Sequence, residues 1–398
     1  YFMKNKIIDI ADTHTNDIIK FLREITAIPS FSGEEGQVID RIKSEMEKIG
    51  FDDIFVDPLG NLLGRLGSGE KILAFDGHCD TVGIGNQDLW TCDPFKGGFE
   101  KGLIFGRGCC DQKGGIASMI YAAKILKEIG IPENKTIWFV VSVLEEEFEG
   151  LNWKYIIEED KIIPNAVILT EPSNLQIRTG HKGRIDIKIR TEGISCHGST
   201  PELGENAIYK MVPIVTEIEQ LNINLPEKPV FGKGSVAVTE IKSTAPAINA
   251  VADSAEIHLD RRLTSGETLE SSIKELEELP SFKNGKAKIK IPAFEVKSYT
   301  GLRYNAEAFY ATWDMQKDHP LVKSAIKTYQ DIFKVAAETG IWNFSTNGVA
   351  TKGIFDIPTI GFGPGDDKYA HTPDEQIPVD HLSIAAGFYT LLVHNCEI

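Results

Sequence analysis

The chain has no apolar run approaching the roughly 20 residues needed to cross a bilayer. Its longest strongly apolar stretch, residues 137–144, reads as a buried strand. The opening residues lack the apolar core and small-residue cleavage site of a secretory leader, so none is expected. Cysteine is sparse. The six are Cys79, Cys92, Cys109, Cys110, Cys196 and Cys396, with no small-domain disulfide framework and no paired CxxC spacing. They read as thiols in a reducing compartment, so a cytoplasmic location is expected. Positive charge is also short: 42 basic residues against 58 acidic leave −16. Such a surface repels phosphate backbones and anionic lipid, so neither nucleic acid nor membrane is expected as a partner. Repeats and low-complexity tracts are absent, and 42% hydrophobic with 25% charged residues is ordinary for a globular protein. That excludes disorder, collagen-like structure and coiled coil for most of the chain.

What is present suggests two domains, since 398 residues exceed a single core. Residues 17–49 carry helical apolar spacing, interrupted around 29–36. A strand over 72–75 leads into Asp76, Gly77, His78, Cys79 and Asp80. Residues 115–129 form a helix pattern, and 136–144 a strand buried on both faces that ends in Glu145, Glu146 and Glu147. A strand over 166–170 ends in Glu171. Another, over 359–362, leads through a Gly/Pro loop to His371, and a last helix covers 379–394. Strands alternating with helices predict an α/β fold: a mostly parallel sheet sandwiched by helices, with ligands beyond the carboxyl ends of its strands.

The middle of the chain differs. Residues 184–191, 235–241 and 255–259 alternate apolar and polar, the period of strands with one wet face. Helix patterns over 206–221 and 268–279 lie between them. The expected organisation is a first domain in two parts, 1–182 and 299–398, with an α+β domain inserted over 183–298.

Carboxylates and imidazoles recur at the predicted strand ends. Singly, each has an ordinary reading. Asp111 follows a glycine-rich turn and could cap the next helix. The three consecutive glutamates could be a solvated acidic turn. Asp80, two residues beyond His78, could share its direction or orient its imidazole from behind. Together the ordinary readings weaken, because carboxylates crowded at a buried rim repel unless neutralised. Two divalent cations would neutralise them if Asp111 bridged both, with His78 and Glu171 on one and Glu146 and His371 on the other. Two dications against three carboxylates leave one positive charge, which one hydroxide cancels. Such mixed ligands suit catalytic zinc first, with cobalt or manganese as alternatives. Glu145 is left as the general base. The third glutamate leaves open a slip of one residue between base and ligand.

The segments GHCDTV (77–82), GRGCCDQKGG (106–115), Glu145 with Glu146, TEP (170–172) and AHTPDE (370–375) resemble the metal motifs of the M20 metallopeptidases. They do so in the right order over essentially the whole chain. SCHGSTPELGENAI (195–208), DRRL (260–263), FSTNGV (344–349) and GFGPG (361–365) look like a branch of that family linked to selenium-metabolism gene clusters.

The resemblance implies the same metal roles, with Glu145 as base and Asp80 orienting His78. It implies that the inserted domain is a lid and dimerisation module, hence a homodimer. It implies that His197 reaches the neighbouring subunit's site to stabilise an oxyanion. Asn249 and Arg262 would hold a substrate carboxylate, although Arg262 could simply pair with Asp260. Backbone N–H groups of Gly363 and Gly365 could serve the same carboxylate or a plain tight turn. The implied activity is hydrolysis of an amide next to a free carboxylate, in an N-acyl or N-carbamoyl amino acid or a short peptide. A catalytically silent metal- or ligand-binding protein on the same scaffold is the alternative. Leu144 and Asn347 depart from the family pattern, which commonly has a polar residue at the first and an acid at the second. For Asn347 the expected reach is to lid or loop contacts rather than metal. Cys79, Cys109 and Cys110 crowd the motifs and read mainly as packing residues.

Overall fold

The computed structural model describes residues 2–397. Strand Lys135–Ser142 is buried along its whole length, which requires a sheet covered on both faces. It runs parallel to Lys71–His78, in register from Lys71 opposite Lys135 to His78 opposite Ser142. Ala166–Leu169 lies parallel on the other side of Lys71–His78, and Thr359–Gly361 lies parallel beyond it. Antiparallel strands extend this core: Leu62–Gly67 and Asp53–Val56 at one edge, Ile177–His181 and Trp313–Asp314 at the other. With Thr339–Trp342, parallel to Ile177–His181, the sheet has nine strands among the described residues.

The parallel centre places four strand ends side by side, and His78 and Glu171 stand at or just beyond two of them. Helices Gly114–Ile129 and Val379–Asn395 cover the sheet and are buried over most of their length. Phe75 is stacked on Phe139 with ring centres 5.4 Å apart, and Tyr389 of the last helix meets Phe75 at 5.3 Å. Gly115 lets its helix start against the strand end, since a Cβ there would lie 2.3 Å from the Thr170 carbonyl oxygen. No helix among the described residues is long and apolar enough to cross a membrane.

A second sheet, antiparallel throughout, has its own core. Gly183–Glu192 buries Ile185, Ile187 and Ile189 on one face. Its neighbours are Ser254–Leu263, Lys288–Lys290 and Phe309–Tyr310, and Ser235–Thr244 forms an outer edge. Helix Ala207–Asn224 lays Met211, Ile214 and Ile218 on the buried face. The pattern over 268–279 becomes a shorter helix, Leu269–Glu277, started by a capping box between Thr268 and Ser271. A separate short helix begins at Pro280. The reason is local: the residue before proline is pushed out of the helical region, and Leu279 sits at ψ 129.

The chain passes between the sheets at residues 181–183 and 310–313. Buried His181 ties the two crossings, its Nε2–H donating to the Ala311 carbonyl at 2.9 Å. Its Nδ1 accepts the Thr346 N–H, also at 2.9 Å.

Candidate metal centre

Strand Lys71–His78 delivers His78 to the sheet's carboxyl edge. Its Nδ1–H donates to the main-chain oxygen of Asp80 at 3.0 Å, leaving Nε2 to face Asp111 Oδ1 at 3.1 Å. The orienting contact expected from Asp80 therefore comes through its backbone. The carboxylate lies 3.6 Å from Nδ1, beyond hydrogen-bond reach. It accepts instead the N–H groups of Glu145 (3.1 Å) and Glu146 (3.0 Å), and the Ser32 hydroxyl at 2.7 Å.

Those two amides belong to a run of four. Val143 N–H donates to Asn61 Oδ1 and Leu144 N–H to Glu35 Oε1, each at 3.1 Å. Buried amides need acceptors, and here side chains supply what a continuing strand would have. Leu144 turns through a left-handed φ of 60°, a conformation a side chain rarely adopts unless its surroundings impose it. The turn separates its glutamates: Glu145 Oε2 lies 3.6 Å from His78 Nε2, and Glu146 Oε2 lies 2.9 Å from His371 Nε2. Glu147 is exposed. The exposed third glutamate stands apart from the cluster, while Glu145 and Glu146 each fall in a candidate ligand set.

Asp111 stands between the imidazoles, Oδ1 toward His78 and Oδ2 3.3 Å from His371 Nε2. Its loop hangs on buried Glu375, which accepts N–H groups from Gly108 (3.0 Å), Cys110 (2.9 Å) and Asp111 (2.9 Å) and pairs with Arg107 at 2.7 Å. Glu171 Oε1 lies 3.8 Å from His78 Nε2. Two overlapping sets, His78 with Glu145 and Glu171 and His78 with Asp111 and Glu146, bring ligand atoms within 4.8 Å of one another.

The electrostatics show what this cluster lacks. Burial and neighbouring carboxylates push Glu145 and Glu171 well above the usual carboxylate range, and Glu146 to about 7. Burial would also raise Asp111, yet hydrogen bonds from His371 and His78 hold it below its ordinary value. Asp111 and Glu146 lift His371 to about 10. His78 is raised as well, because Glu145, Asp111 and Asp80 outweigh burial. Four carboxylates thus draw positive charge onto the only two bases among them. Divalent cations meet the same demand more strongly, and the donor set of imidazole and carboxylate fits them.

The cluster floors a cavity of about 430 Å³, walled by Glu149, Arg184, Arg262, Phe344, Ser345 and Asp367. Arg262 lines it and pairs with Asp260 through two bonds of 2.7 and 2.9 Å. His197 and Asn249 do not line it. They lie together on two loops beside the second sheet, where the Asn249 carbonyl accepts the Gly198 N–H at 2.7 Å. His197 is exposed, and its Nδ1 accepts the Ser199 N–H at 3.1 Å, which leaves Nε2 outward.

The glycine expectation needs correction. Gly363 N–H donates to Ser173 Oγ (2.9 Å) and Gly365 N–H to His381 Nδ1 (3.2 Å), so neither amide is available to a carboxylate. Gly363 is needed for close approach, because a Cβ there would lie 2.2 Å from the Glu171 carbonyl oxygen. Asn347 also differs from expectation. It is buried beneath the strand ends, donating to Asp76 Oδ2 (2.9 Å) and Ser142 Oγ (3.0 Å) while accepting the Gly150 N–H (3.0 Å). An acid there would face the Asp76 carboxylate. Cys79, Cys109 and Cys110 are unpaired and fully buried, and burial pushes their thiols well up, as packing residues require.

Sequence reasoning missed Glu375, Glu35, Asn61, Glu149 and Arg184. Glu375 lay in view within AHTPDE, and Glu149 within the same acidic run as the metal residues. Arg184 opens an alternating strand whose polar positions face away from its core. Nothing local marked Glu35 or Asn61.

Comparison with known proteins agrees with this geometry. Residues 74–395 match the model of peptidase family M20/M25/M40. The chain is 44% identical over 386 residues to the uncharacterized protein YgeY of Escherichia coli (strain K12), covering 97% of this chain and 96% of that one. In fold it is similar to the aminopeptidase PepT of Bacillus cereus, with TM-score 0.73, 19% identity, and 96% and 98% of the two chains covered. It is also similar in fold to YXEP of Bacillus subtilis, described as a dinuclear metal-binding peptidase, with TM-score 0.69, 14% identity, and 96% and 98% covered. The chain belongs to peptidase family M20/M25/M40 and is a metal-binding hydrolase of that family.

Proposed function

We propose that the protein is a dinuclear metal-dependent amidohydrolase that cleaves an amide next to a free carboxylate, in an N-acyl or N-carbamoyl amino acid or a short peptide. The observation that carries this reading is Asp111, which turns one carboxylate oxygen toward each of two imidazoles, His78 and His371. In the proposed assignment His78 and Glu171 hold one ion, Glu146 and His371 the other, and Asp111 both. Zinc is the first choice, with cobalt or manganese as alternatives. When bound, such ions lower the pKa of a water and polarise a carbonyl.

The chain's own residues do the rest. Glu145, buried beside the cluster, accepts a proton from the attacking water on its carboxylate and returns it to the leaving nitrogen. Asp80 keeps Glu145 in place by gripping its backbone. Arg262 in the cavity wall, with Asn249 from a loop beside the second sheet, receives the substrate carboxylate. The second sheet and its helices, between the crossings at 181–183 and 310–313 rather than ending at 298, serve as a lid and dimerisation domain. Exposed Tyr209 and Val212 on the lid helix and Ile241 on the edge strand favour a homodimer. In that assembly His197, turned away from its own cavity, completes the neighbouring subunit's site. Unpaired cysteines throughout favour a cytoplasmic setting.

The test pairs metal analysis with mutation. The wild type should carry about two divalent ions per chain and hydrolyse members of an acylated amino-acid and peptide panel. Glu145→Ala should lower turnover by roughly 100-fold or more with the metal content unchanged. Loss of an ion in that variant would make Glu145 a ligand instead. Absence of any turnover in the fully loaded wild type would return the silent binding protein as the better reading.

A further inference from the structure

Two carboxylates that line the cavity, Glu149 and Asp367, belong to no metal set. Glu149 lies on the turn after Glu145 and Glu146 and lines the same space. One of its oxygens accepts the Ser345 hydroxyl at 2.7 Å. The other, Oε2, is buried and has no hydrogen-bond partner among the described residues. Two guanidinium groups wall the same cavity. Arg184 lies over the Tyr310 ring, 4.5 Å from its centre, and its Nε sits 4.0 Å from Asp186 Oδ1 without a hydrogen bond. Arg262 is anchored by Asp260. Both attract Glu149 across the cavity, yet neither forms an ion pair with it among the described residues.

A buried carboxylate oxygen without a donor is costly. Glu149 lines the substrate cavity and an adjoining one, and this oxygen is covered at the wall between them. The guanidinium groups can only donate, and the ionised carboxylate can only accept. The wall beyond the metal floor is therefore bipolar, and a ligand with one pole alone would leave the other unmatched.

Resting on the hydrolase reading above, we propose that Glu149 binds an ammonium group of the substrate while Arg184, with Arg262, binds its carboxylate. The preferred substrate class is then a zwitterionic short peptide with a free amino group, rather than an N-blocked acyl amino acid. In this role Glu149 and Arg184 determine specificity; the bond-breaking groups stay those already named.

The experiment uses the metal-loaded enzyme and a panel of dipeptides, each with its N-acetylated and its C-amidated counterpart. The wild type should prefer the free dipeptide to the N-acetyl form. E149Q should shrink that preference by about 10- to 100-fold, the loss of one hydrogen bond to a charged group, mainly through KM. E149D should recover part of it. R184Q should instead shrink the preference for the carboxylate over the amide, by a similar factor. Wild-type preference for the N-acetyl form overturns the proposal, as does an E149Q variant that keeps the wild-type ratio with metal content intact. No hydrolysis of any panel member or of acylated amino acids by the loaded wild type overturns the hydrolase reading itself.

Discussion

Glu375 offers the sharpest test of how the centre is held. Its carboxylate accepts the N–H groups of Gly108, Cys110 and Asp111 and pairs with Arg107, and the Glu375 and Arg107 side chains are 1% and 2% exposed. A surface ion pair contributes about 0–1 kcal/mol, but removing one partner of a buried pair costs about 3–5 kcal/mol because the other charge is left uncompensated. Glu375→Gln keeps the shape and one carbonyl acceptor. It deletes the charge facing Arg107 and turns an NH₂ group toward donors. The expected loss of stability is therefore about 3–5 kcal/mol, concentrated in the loop that carries Asp111. Chemical denaturation of the metal-free variant and wild type reads the loss directly. A zinc titration should show weakened binding as well, since Asp111 depends on that loop. A variant within about 1 kcal/mol of wild type, binding zinc equally well, would refute the claim that Glu375 organises the centre.

Two further perturbations follow from the same geometry. Gly363→Ala places a Cβ 2.2 Å from the Glu171 and 2.3 Å from the Thr170 carbonyl oxygens. These are backbone atoms that cannot swing aside, so a cost of about 1–3 kcal/mol is expected, read as weaker binding of an ion at Glu171 by metal titration; unchanged affinity would count against it. His181 is held neutral, burial pushing it down to about 3. Its folded-state pKa lies below the unfolded value, so its share of stability is present above about pH 6.5 and is lost as pH falls toward 3, at about 1.4 kcal/mol per unit. Denaturation curves between pH 4 and 7 should therefore fall more steeply for wild type than for His181→Gln, and parallel slopes would dismiss a neutral buried imidazole at the crossing between sheets.

Much of this protein was legible along the chain. His78, Glu146 and Glu171 could be picked out because a polar residue at or just past the end of an apolar strand marks the sheet's carboxyl edge, whereas Asp111 and His371 lie in loops and stood out through the motifs around them. The alternation of Ile185, Ile187 and Ile189 announced a sheet with one wet face, and local chemistry at Thr268 and Pro280 set helix limits. These are near-neighbour signals, and near-neighbour sterics and burial produce them. Other facts arise only when distant segments meet. Asp80 could be chosen as a partner of His78, but its carboxylate found the amides of Glu145 and Glu146, because the strand before it runs parallel to the strand before them. Gly363 looked like an anion-binding turn and proved a point of contact with Glu171. Glu149 and Arg184 gain meaning from facing one cavity across two sheets. Sequence spacing encodes which way a side chain leaves its own strand or helix. What it meets there depends on the crossovers that fold the strands together, and only the packed tertiary structure sets those.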